Sequence, residues 1–259
     1  LAVVISRLTM KNANTMTTCI IGIDCATDAR KVGLARGFID GDSLIIDRLA
    51  KPEKGQSVAD VVGGWVTRDQ ATLFAVDAPL GWPALLAEQL RNHQAGDLLD
   101  VDANILFRRH TDRFIKRMLG KQPLDVGADR IARTALAALK YLDSIGQAAG
   151  RDIPLAWSAE LDSVWSAIEV YPAATLKQSG IRSVGYKKKA QCVERQEMLA
   201  ALSSQLTITT DTARLIEEDD VLDAAVCVLA GSHFLRGQCL LPDDLPLAKK
   251  EGWIWVRAE

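Results

Sequence analysis

The sequence has no large excess of charge of either sign. Its 259 residues include 31 lysines and arginines against 33 aspartates and glutamates, which gives a formal net charge of −2. This balance excludes a histone-like or polybasic nucleic-acid binder, because the affinity of such proteins depends on a large positive excess. It leaves room for a local basic patch.

Long apolar runs are also missing. No run approaches the roughly 18–20 residues that a helix needs to span a bilayer, so we expect no membrane-embedded segment. The opening LAVVI is too short for the apolar part of a signal peptide, and no basic residue precedes it. These features predict a cytoplasmic location. We expect residues 1–17 to be a loosely ordered leader and residues 18–259 to form a single domain.

Several common site motifs are absent. The five cysteines form no C-x-x-C pair, which predicts reduced and mostly buried thiols. The three histidines are far apart and show no H-x-x-x-H spacing, so we expect no zinc site. Neither G-x-x-x-x-G-K-[ST] nor G-x-S-x-G occurs, which argues against a P-loop nucleotide site and against a serine hydrolase.

Short apolar runs predict five strands. Thr18–Ala26 is nearly continuous in its apolar character, the pattern of a strand buried on both faces. Lys31–Ile39 and Ser43–Leu49 follow, joined by an Asp-Gly-Asp link that is typical of a hairpin. We therefore predict a three-stranded antiparallel meander. The fourth and fifth predicted strands are Ala71–Val76 and Asp162–Val170, the latter ending before a proline.

Apolar residues at helical spacing predict helices between and after the strands. The predicted helices are Gln56–Arg68, Ala84–Gln94, Ala128–Ala148, Lys187–Leu202 and a last one from about Glu218 to Leu235. Residues 97–125 are polar and irregular, and we expect residues 79–150 to be a helical insertion. The order β-β-β-α-β-(helical insert)-β-α-α predicts an α/β fold. Its mixed sheet would have three antiparallel strands followed by parallel βα units, with helices on both faces.

Five acidic residues occupy positions where an unpaired charge is costly. Asp24, Asp77 and Glu169 each end an apolar run, and Asp220 and Asp223 lie near the start of an otherwise apolar helix. An ionised carboxylate removed from water costs several kcal/mol unless it is paired or bound to a cation. If the strand ends are adjacent, a hard divalent cation such as Mg²⁺ or Mn²⁺ would relieve the repulsion between these acids. Two such ions about 3.5–4 Å apart are able to promote phosphodiester cleavage.

Each acid also has a structural explanation. Asp24 could bond backbone N–H groups at a strand end, and Asp77 could cap the following turn. Glu169 could form an ion pair at the edge of the core, and Asp220 suits the first turn of a helix. Asp223 is harder to explain in this way, because it lies deeper in its helix and shares a face with Asp220. The joint pattern therefore favours a metal site.

The order of the motifs resembles that of a known family. GIDCAT, VDAPLGWP, FRRHTDR, EVYPAA, GYKKK and DDVLDAAVCVLAG together look like the "domain of unknown function 429" family, over a span from Ile20 to Val256. That family is described as predicted nucleases with the RNase H fold. The resemblance therefore implies an RNase H-like superfamily domain, a divalent metal cofactor and a nucleic-acid substrate.

The resemblance also assigns roles to residues. It makes Asp24 the metal ligand on the first strand, Asp77 the ligand on the fourth strand, and Asp223, with Asp220 beside it, the acid on the terminal helix. Asp24, Asp77 and Asp223 would be the catalytic residues, and Glu169 would be an additional metal ligand or would support the ligands. The glutamate that RNase H carries on its first helix has no convincing match, which makes a resolvase-like arrangement the closer model.

Two basic clusters are candidates for substrate binding. Arg108, Arg109 and Arg113 belong to one run, and Lys187 and Lys188 belong to another that follows a Gly-Tyr pair. Arginine binds phosphate through two parallel hydrogen bonds and lysine binds it as a point charge. The structural alternative for both clusters is a solvated helix face.

The sequence thus predicts a metal-dependent phosphodiesterase or nuclease that acts on DNA or RNA. Two alternatives stay open. The Gly-Ile-Asp strand end also suits a nucleotide-binding relative of the actin–sugar-kinase fold, which ATP binding would reveal, although that architecture normally has two such domains. A non-catalytic interaction module would keep the acids for stability, and loss of Asp24 would then lower the melting temperature. In a metal site the same loss often raises the melting temperature, because removal of one carboxylate relieves like-charge repulsion in the metal-free protein.

Overall fold

A computed structural model describes residues 18–127 and 130–258. The predicted leader, residues 1–17, lies outside the described residues. The described strands are β1 (Cys19–Asp24), β2 (Gly33–Asp40), β3 (Ser43–Ala50), β4 (Thr72–Asp77), β5 (Trp165–Glu169) and β6 (Thr207–Ile208). All five predicted strands are therefore present, with ends shifted by at most three residues, and the two-residue β6 was not predicted.

These strands form one six-stranded mixed sheet with the order β5-β4-β1-β2-β3-β6. The β1–β2 and β2–β3 pairs are antiparallel, which confirms the predicted meander. The β1–β4, β4–β5 and β3–β6 pairs are parallel. The predicted α/β class with a mixed sheet is confirmed, and the carboxyl ends of the central parallel strands meet at one edge of the sheet.

The helices connect and cover these strands. Those described are α1 (Val58–Gly63), α2 (Ala84–Leu90), α3 (Ala103–Leu106), α4 (His110–Leu119), α5 (Ile131–Ala149), α6 (Pro172–Gln178), α7 (Cys192–Leu202), α8 (Ala213–Glu217), α9 (Asp219–Leu235) and α10 (Leu245–Glu251). Successive side chains of a strand point to opposite faces. Ile20 of β1 therefore packs in the core under α9, whereas Ile21 and Ile23 pack in the core with α1 and α5.

The region predicted as an insertion is more than a cap on the sheet. Its longest helix, α5, buries Ala138, Leu142 and Ile145 against β1, β4 and β5 residues on the face opposite α9. Residues 97–125, which the sequence presents as irregular, contain α3 and the amphipathic α4. The periodicity of α4 was obscured because the charged Asp112 in its first turn and Arg109, which directly precedes it, are buried.

Three further helices were not predicted. Pro172 does not simply stop the chain after β5 as expected, because it is the first residue of α6, a position where a proline needs no hydrogen-bond donor. The helices α8 and α10 are also additions. The predicted helix Lys187–Leu202 begins only at Cys192, and the preceding residues form a loop.

The tryptophan-rich end packs along the edge of the sheet. Trp255 donates its backbone N–H to the carbonyl of Glu169 at 2.9 Å, and Ile254 forms an isolated parallel bridge with Glu169. Trp253 and Trp255 are buried in the α9-side core. Among the described residues, no helix combines the length and the apolar character that a membrane span requires.

Candidate metal centre

The site begins with the register of two parallel strands. Asp24 ends β1 and Asp77 ends β4, and the two residues are direct partners in the ladder. On β4, Leu73 and Ala75 pack in the α9-side core. Since side chains alternate between faces, Asp77 lies on this same face, and so does Asp24, two residues after Gly22.

Two glycines allow α9 to lie directly on this face of the sheet. A Cβ atom on Gly22 would come within 2.1 Å of the carbonyl oxygen of Ala224, and one on Gly33 within 1.9 Å of the carbonyl oxygen of Asp220. Real side chains do not tolerate such distances, so glycine is required at both positions. The close approach brings Asp223 of α9 over the ends of β1 and β4.

Asp24, Asp77 and Asp223 together form what we call the acidic triad. Each contributes a carboxylate oxygen, and these oxygens lie within 4.8 Å of one another. Burial raises the pKa of Asp77 to about 7, with a further upward contribution from Asp223 that Lys187 opposes. Burial, reinforced by the charges of Asp77 and Asp223, holds the pKa of Asp24 well above its usual range. The triad is therefore short of positive charge.

A loop carrying Tyr186 and Lys187 contacts one member of the triad. The Tyr186 hydroxyl donates to Asp223 Oδ1 at 2.7 Å, and Lys187 Nζ lies 2.6 Å from Asp223 Oδ2. Burial raises the pKa of Asp223, and the Lys187 charge partly offsets that rise. Burial and the neighbouring Asp223 carboxylate hold the pKa of Tyr186 well above its usual range, so the phenol stays a hydrogen-bond donor.

Arg195 of α7 anchors this loop through hydrogen bonds to its backbone carbonyls. Its guanidinium is fully buried and donates to the carbonyls of Tyr186 and Lys188, while its Nε donates to the carbonyl of Ile216 at 2.6 Å. One side chain therefore ties the loop to the segment that leads into α9. Lys187 is consequently held at the triad by backbone anchors on both of its neighbours.

The donor set of the triad fits a hard divalent cation. Within the described part of the chain, Asp24 and Asp77 receive no hydrogen bond from a backbone N–H and form no ion pair. The side-chain hydrogen bond between Asp24 and Asp77 links the two acids to each other and brings them no positive charge. Mg²⁺ and Mn²⁺ prefer oxygen ligands and would neutralise this concentration of charge, so the residues present fit such an ion.

Two of the predicted ligands lie elsewhere. Asp220 pairs with Lys51, whose Nζ is 2.5 Å from its Oδ2, and it does not join the triad. Glu169 ends β5, but it shares the strand face of Trp165 and Ala167, which pack in the core opposite α9. The structure therefore does not bring Asp220 and Glu169 together with the triad as metal ligands.

Glu169 belongs instead to a second group, which we call the arginine cluster and which comprises Arg109, Asp112, Glu169 and Glu251. Arg109 donates to the two oxygens of Glu169 at 2.6 and 2.7 Å, and its Nη2 lies 2.9 Å from Asp112 Oδ1. Glu169 also accepts the backbone N–H of Leu80 at 2.9 Å. Burial raises the pKa of Glu169, and Arg109 opposes that rise.

The arginines that were predicted to bind phosphate form ion pairs and hydrogen bonds within the protein. Arg109 is 1% exposed and is bonded to Asp112 and Glu169, but it also lines a cavity beside the triad, so its contact with substrate stays a prediction. Arg108 Nε lies 2.6 Å from Asp125 Oδ1, and Arg113 donates to the carbonyl of Arg108 at 2.5 Å. Lys187 lies at the triad, and Lys188 is exposed on the same loop. Each basic cluster therefore contributes one residue near the site: Lys187 at the triad and Arg109 in the cavity wall.

A cavity of about 350 Å³ opens beside the triad. Its lining includes Asp24, Asp77 and Lys187, together with Arg109 and Glu169 of the arginine cluster. Pro123, Leu124 and Ile131 from the predicted insertion also line it. A cavity of this size is within the range that binds small ligands or one unit of a larger one. The insertion therefore shapes access to the acids.

Sequence reasoning did not identify Tyr186 or Arg195 as functional residues. A signal for Arg195 was present, because Arg195, Met198 and Leu202 are spaced by three and four residues and form the buried face of α7. An arginine on an apolar helix face needs buried acceptors. No comparable signal distinguishes Tyr186.

The sequence of this chain is similar to that of one known protein family. Residues 22–246 match a family model described as "Protein of unknown function (DUF429)". Neither the search of curated proteins nor the search of solved structures gives a match. The matched span includes the whole acidic triad and the loop that contacts it. The chain belongs to the DUF429 family.

Proposed function

We propose that this protein is a Mg²⁺- or Mn²⁺-dependent phosphodiesterase, a nuclease that hydrolyses DNA or RNA. The observation that carries the proposal is the convergence of the acidic triad, whose carboxylate oxygens lie within 4.8 Å of one another and are short of protein donors. A cluster of buried carboxylates destabilises the folded protein unless a cation is bound. Its members come from distant parts of the chain, since Asp24 and Asp223 are separated by about two hundred residues.

An RNase H-like architecture is part of the same proposal. The resemblance described above implies an acid on the first strand, one on the fourth strand and one on the terminal helix. In support of it, Asp24 ends β1, Asp77 ends β4 and Asp223 lies in the long helix α9, on a sheet with three antiparallel strands followed by parallel ones. The proposed setting is the cytoplasm.

The residues of the site have distinct parts in the proposed reaction. A bound divalent cation would supply Lewis acidity at the phosphoryl group and lower the pKa of water. Asp24 and Asp77 would hold it, and Asp223 would be oriented by the Tyr186 hydroxyl. Lys187 presents a positive charge at the cavity, where a substrate phosphate would enter.

A cleavage assay tests the proposal. Purified protein is incubated with single-stranded, duplex and branched DNA and RNA in Mg²⁺ or Mn²⁺, and Asp24→Asn is compared with Asp69→Asn. Asp69 is 90% exposed and lies before β4, at the opposite end of the strand from Asp77. We expect metal-dependent cleavage that falls at least about 100-fold in Asp24→Asn and is unchanged in Asp69→Asn.

The proposal fails if the wild-type protein, free of contaminating nucleases, cleaves no substrate of this panel in either metal. Calorimetry with ATP in the same preparation separates the remaining alternative. Saturable ATP binding without cleavage would favour the nucleotide-binding relative of the actin–sugar-kinase fold.

A further inference from the structure

We propose that the site binds a single divalent cation and that the ammonium group of Lys187 takes the place of a second one. This inference rests on the proposed function, since it concerns how the same site would balance charge around a phosphoryl group. It departs from the two-ion arrangement that the acid pattern alone allows.

The first support is the position of Lys187. Its Nζ lies 2.6 Å from Asp223 Oδ2, while Asp223 Oδ1 accepts the Tyr186 hydroxyl. One oxygen of this carboxylate thus accepts a hydrogen bond, and the other forms an ion pair. A cation bound to Oδ2 at the usual metal–oxygen distance of about 2.1 Å would have to displace the ammonium group or lie against it. Only Asp24 and Asp77 keep oxygens that no basic group of the described chain contacts.

The second support is that Lys187 is held in place. Arg195 donates to the carbonyls of both Tyr186 and Lys188, the two residues that flank it, and Arg195 is itself fully buried. The Tyr186 side chain is buried and is bonded to Asp223. The backbone of the lysine therefore has no simple route away from the triad, and displacement of its ammonium group by a second ion would leave the positive charge nearby.

The third support is the charge balance. The three carboxylates of the triad and the Lys187 ammonium carry a formal charge of −2 when all are ionised, which one divalent ion neutralises. A second divalent ion would make the site strongly positive and would be repelled by the ammonium group at short range. Without Lys187 the three ionised carboxylates would carry a formal charge of −3, which one divalent ion does not neutralise.

The fourth support is access. The Lys187 side chain is 57% exposed and lines the cavity beside the triad, so its charge is available to a phosphate group as well as to Asp223. In two-ion enzymes the second ion stabilises charge on the oxygens of the phosphoryl group. An ammonium group at the cavity wall would supply that charge as a point donor.

The test counts manganese ions bound per chain. Metal-free protein is titrated with Mn²⁺ by isothermal calorimetry, and free Mn²⁺ is followed in parallel by electron paramagnetic resonance. The variants are Lys187→Met, Lys187→Arg and, as a control from the same loop, Lys189→Met, whose side chain is exposed. Circular dichroism establishes that each variant is folded.

We expect one ion per chain in the wild type, in Lys187→Arg and in Lys189→Met, and two in Lys187→Met. Two ions in the wild type, or one in folded Lys187→Met, would overturn the inference and leave the proposed function intact. No Mn²⁺ binding in the wild type would overturn both. The wild-type count decides between one ion and two even if Lys187→Met does not fold.

Discussion

The acidic triad and the arginine cluster lie at the ends of neighbouring strands and are built from the same kinds of residue, but they are satisfied in opposite ways. In the arginine cluster, the three carboxylates accept hydrogen bonds at all six oxygens. The donors are Arg109 and the backbone N–H groups of Arg109, Leu80, Ala84 and His110. In the triad, Asp223 contacts Tyr186 and Lys187, whereas Asp24 and Asp77 share a hydrogen bond with each other and form no ion pair in the described chain.

This difference separates a structural group of charges from a site that needs an external cation. The arginine cluster joins four parts of the fold, because Glu169 ends β5, Asp112 lies in α4, Glu251 ends α10 and the Leu80 loop follows β4. The ion pairs and hydrogen bonds of this cluster hold these parts together. In the triad Asp223 is buried and Asp24 and Asp77 are half-buried, and the latter two form no ion pair in the described chain. Arg109 and Glu169 line the same cavity as Asp24 and Asp77, so the two groups differ in charge compensation and not in access. Acidic residues at strand ends therefore indicate a metal site only where the protein itself does not supply the hydrogen-bond donors and positive charges that they need.

The largest effect is expected when the arginine cluster is broken. Arg109→Met leaves Asp112 and Glu169 buried without their cation, which should lower the free energy of unfolding by about 3–5 kcal/mol. Denaturant unfolding of metal-free protein measures this. Arg108→Met removes a partly exposed ion pair and should change stability by less than about 1 kcal/mol. Equal effects of the two substitutions would contradict the structural role of the cluster.

A smaller effect is expected when α9 is pushed away from the sheet. The Cβ of Gly22→Ala would meet the Ala224 carbonyl at 2.1 Å, so the helix must shift. Overpacking of this kind typically costs 1–3 kcal/mol. Because the shift also moves Asp223, Mn²⁺ affinity should fall at least about tenfold. The matched control is Gly63→Ala at the end of α1, where a Cβ has no neighbour within 4 Å. Unchanged Mn²⁺ affinity in Gly22→Ala would show that α9 does not position the site.

Loss of one acid from the triad should stabilise the metal-free protein, in contrast to any loss from the arginine cluster. Burial raises the pKa of Asp77 to about 7 from an ordinary value of 3.8. The folded state therefore binds more protons than the unfolded state between about pH 4 and 7, and stability falls as pH rises through this window. At pH 8, Asp77→Asn should raise stability by roughly 1–2 kcal/mol, or about 2–8 °C in Tm.

The same substitution should have little effect at pH 5, where Asp77 of the folded protein is already protonated. Thermal melts at both pH values, with Asp69→Asn as the control, measure the difference. A destabilised Asp77→Asn at pH 8 would mean that the triad, like the arginine cluster, is compensated within the protein.

The smallest expected effect is the pH dependence of metal binding. A cation requires ionised ligands, so binding must release the proton that Asp77 holds below about pH 7. Mn²⁺ affinity should rise about tenfold between pH 6 and 8 and level off above that. Calorimetric titrations across this range give the affinity, and a flat profile would exclude Asp77 as a ligand.

The extent to which the site could be predicted depends on which physical rule applied to each residue. Asp24 and Asp77 were predictable because each ends an apolar run and parallel strands end at the same edge. Glu169 was misassigned because it also ends an apolar run, but a shift of one residue on a strand places a side chain on the other face. The burial of Arg109 could not be predicted, because a run of basic residues does not show which member is buried.

The fold was predictable where one signal dominated. The meander, β4, β5 and α9 follow from apolar runs and periodicity, and all are present. The short helices α6, α8 and α10 were not predicted, because at five to seven residues they depend on tertiary packing more than on local sequence. Contacts between distant segments, such as Arg195 with the Lys187 loop, leave no local pattern.

The central claim is that the acidic triad binds a divalent cation, and thermal unfolding with and without Mn²⁺ tests it most directly. The comparison is between the wild type, Asp24→Asn and Asp69→Asn at pH 8. At an ion concentration of about 100 times the dissociation constant, binding should add about 2.7 kcal/mol to wild-type and Asp69→Asn stability, or roughly 5–10 °C in Tm. Asp24→Asn should show no such shift. A wild-type Tm that does not respond to Mn²⁺, or an equal response in Asp24→Asn, would contradict the account.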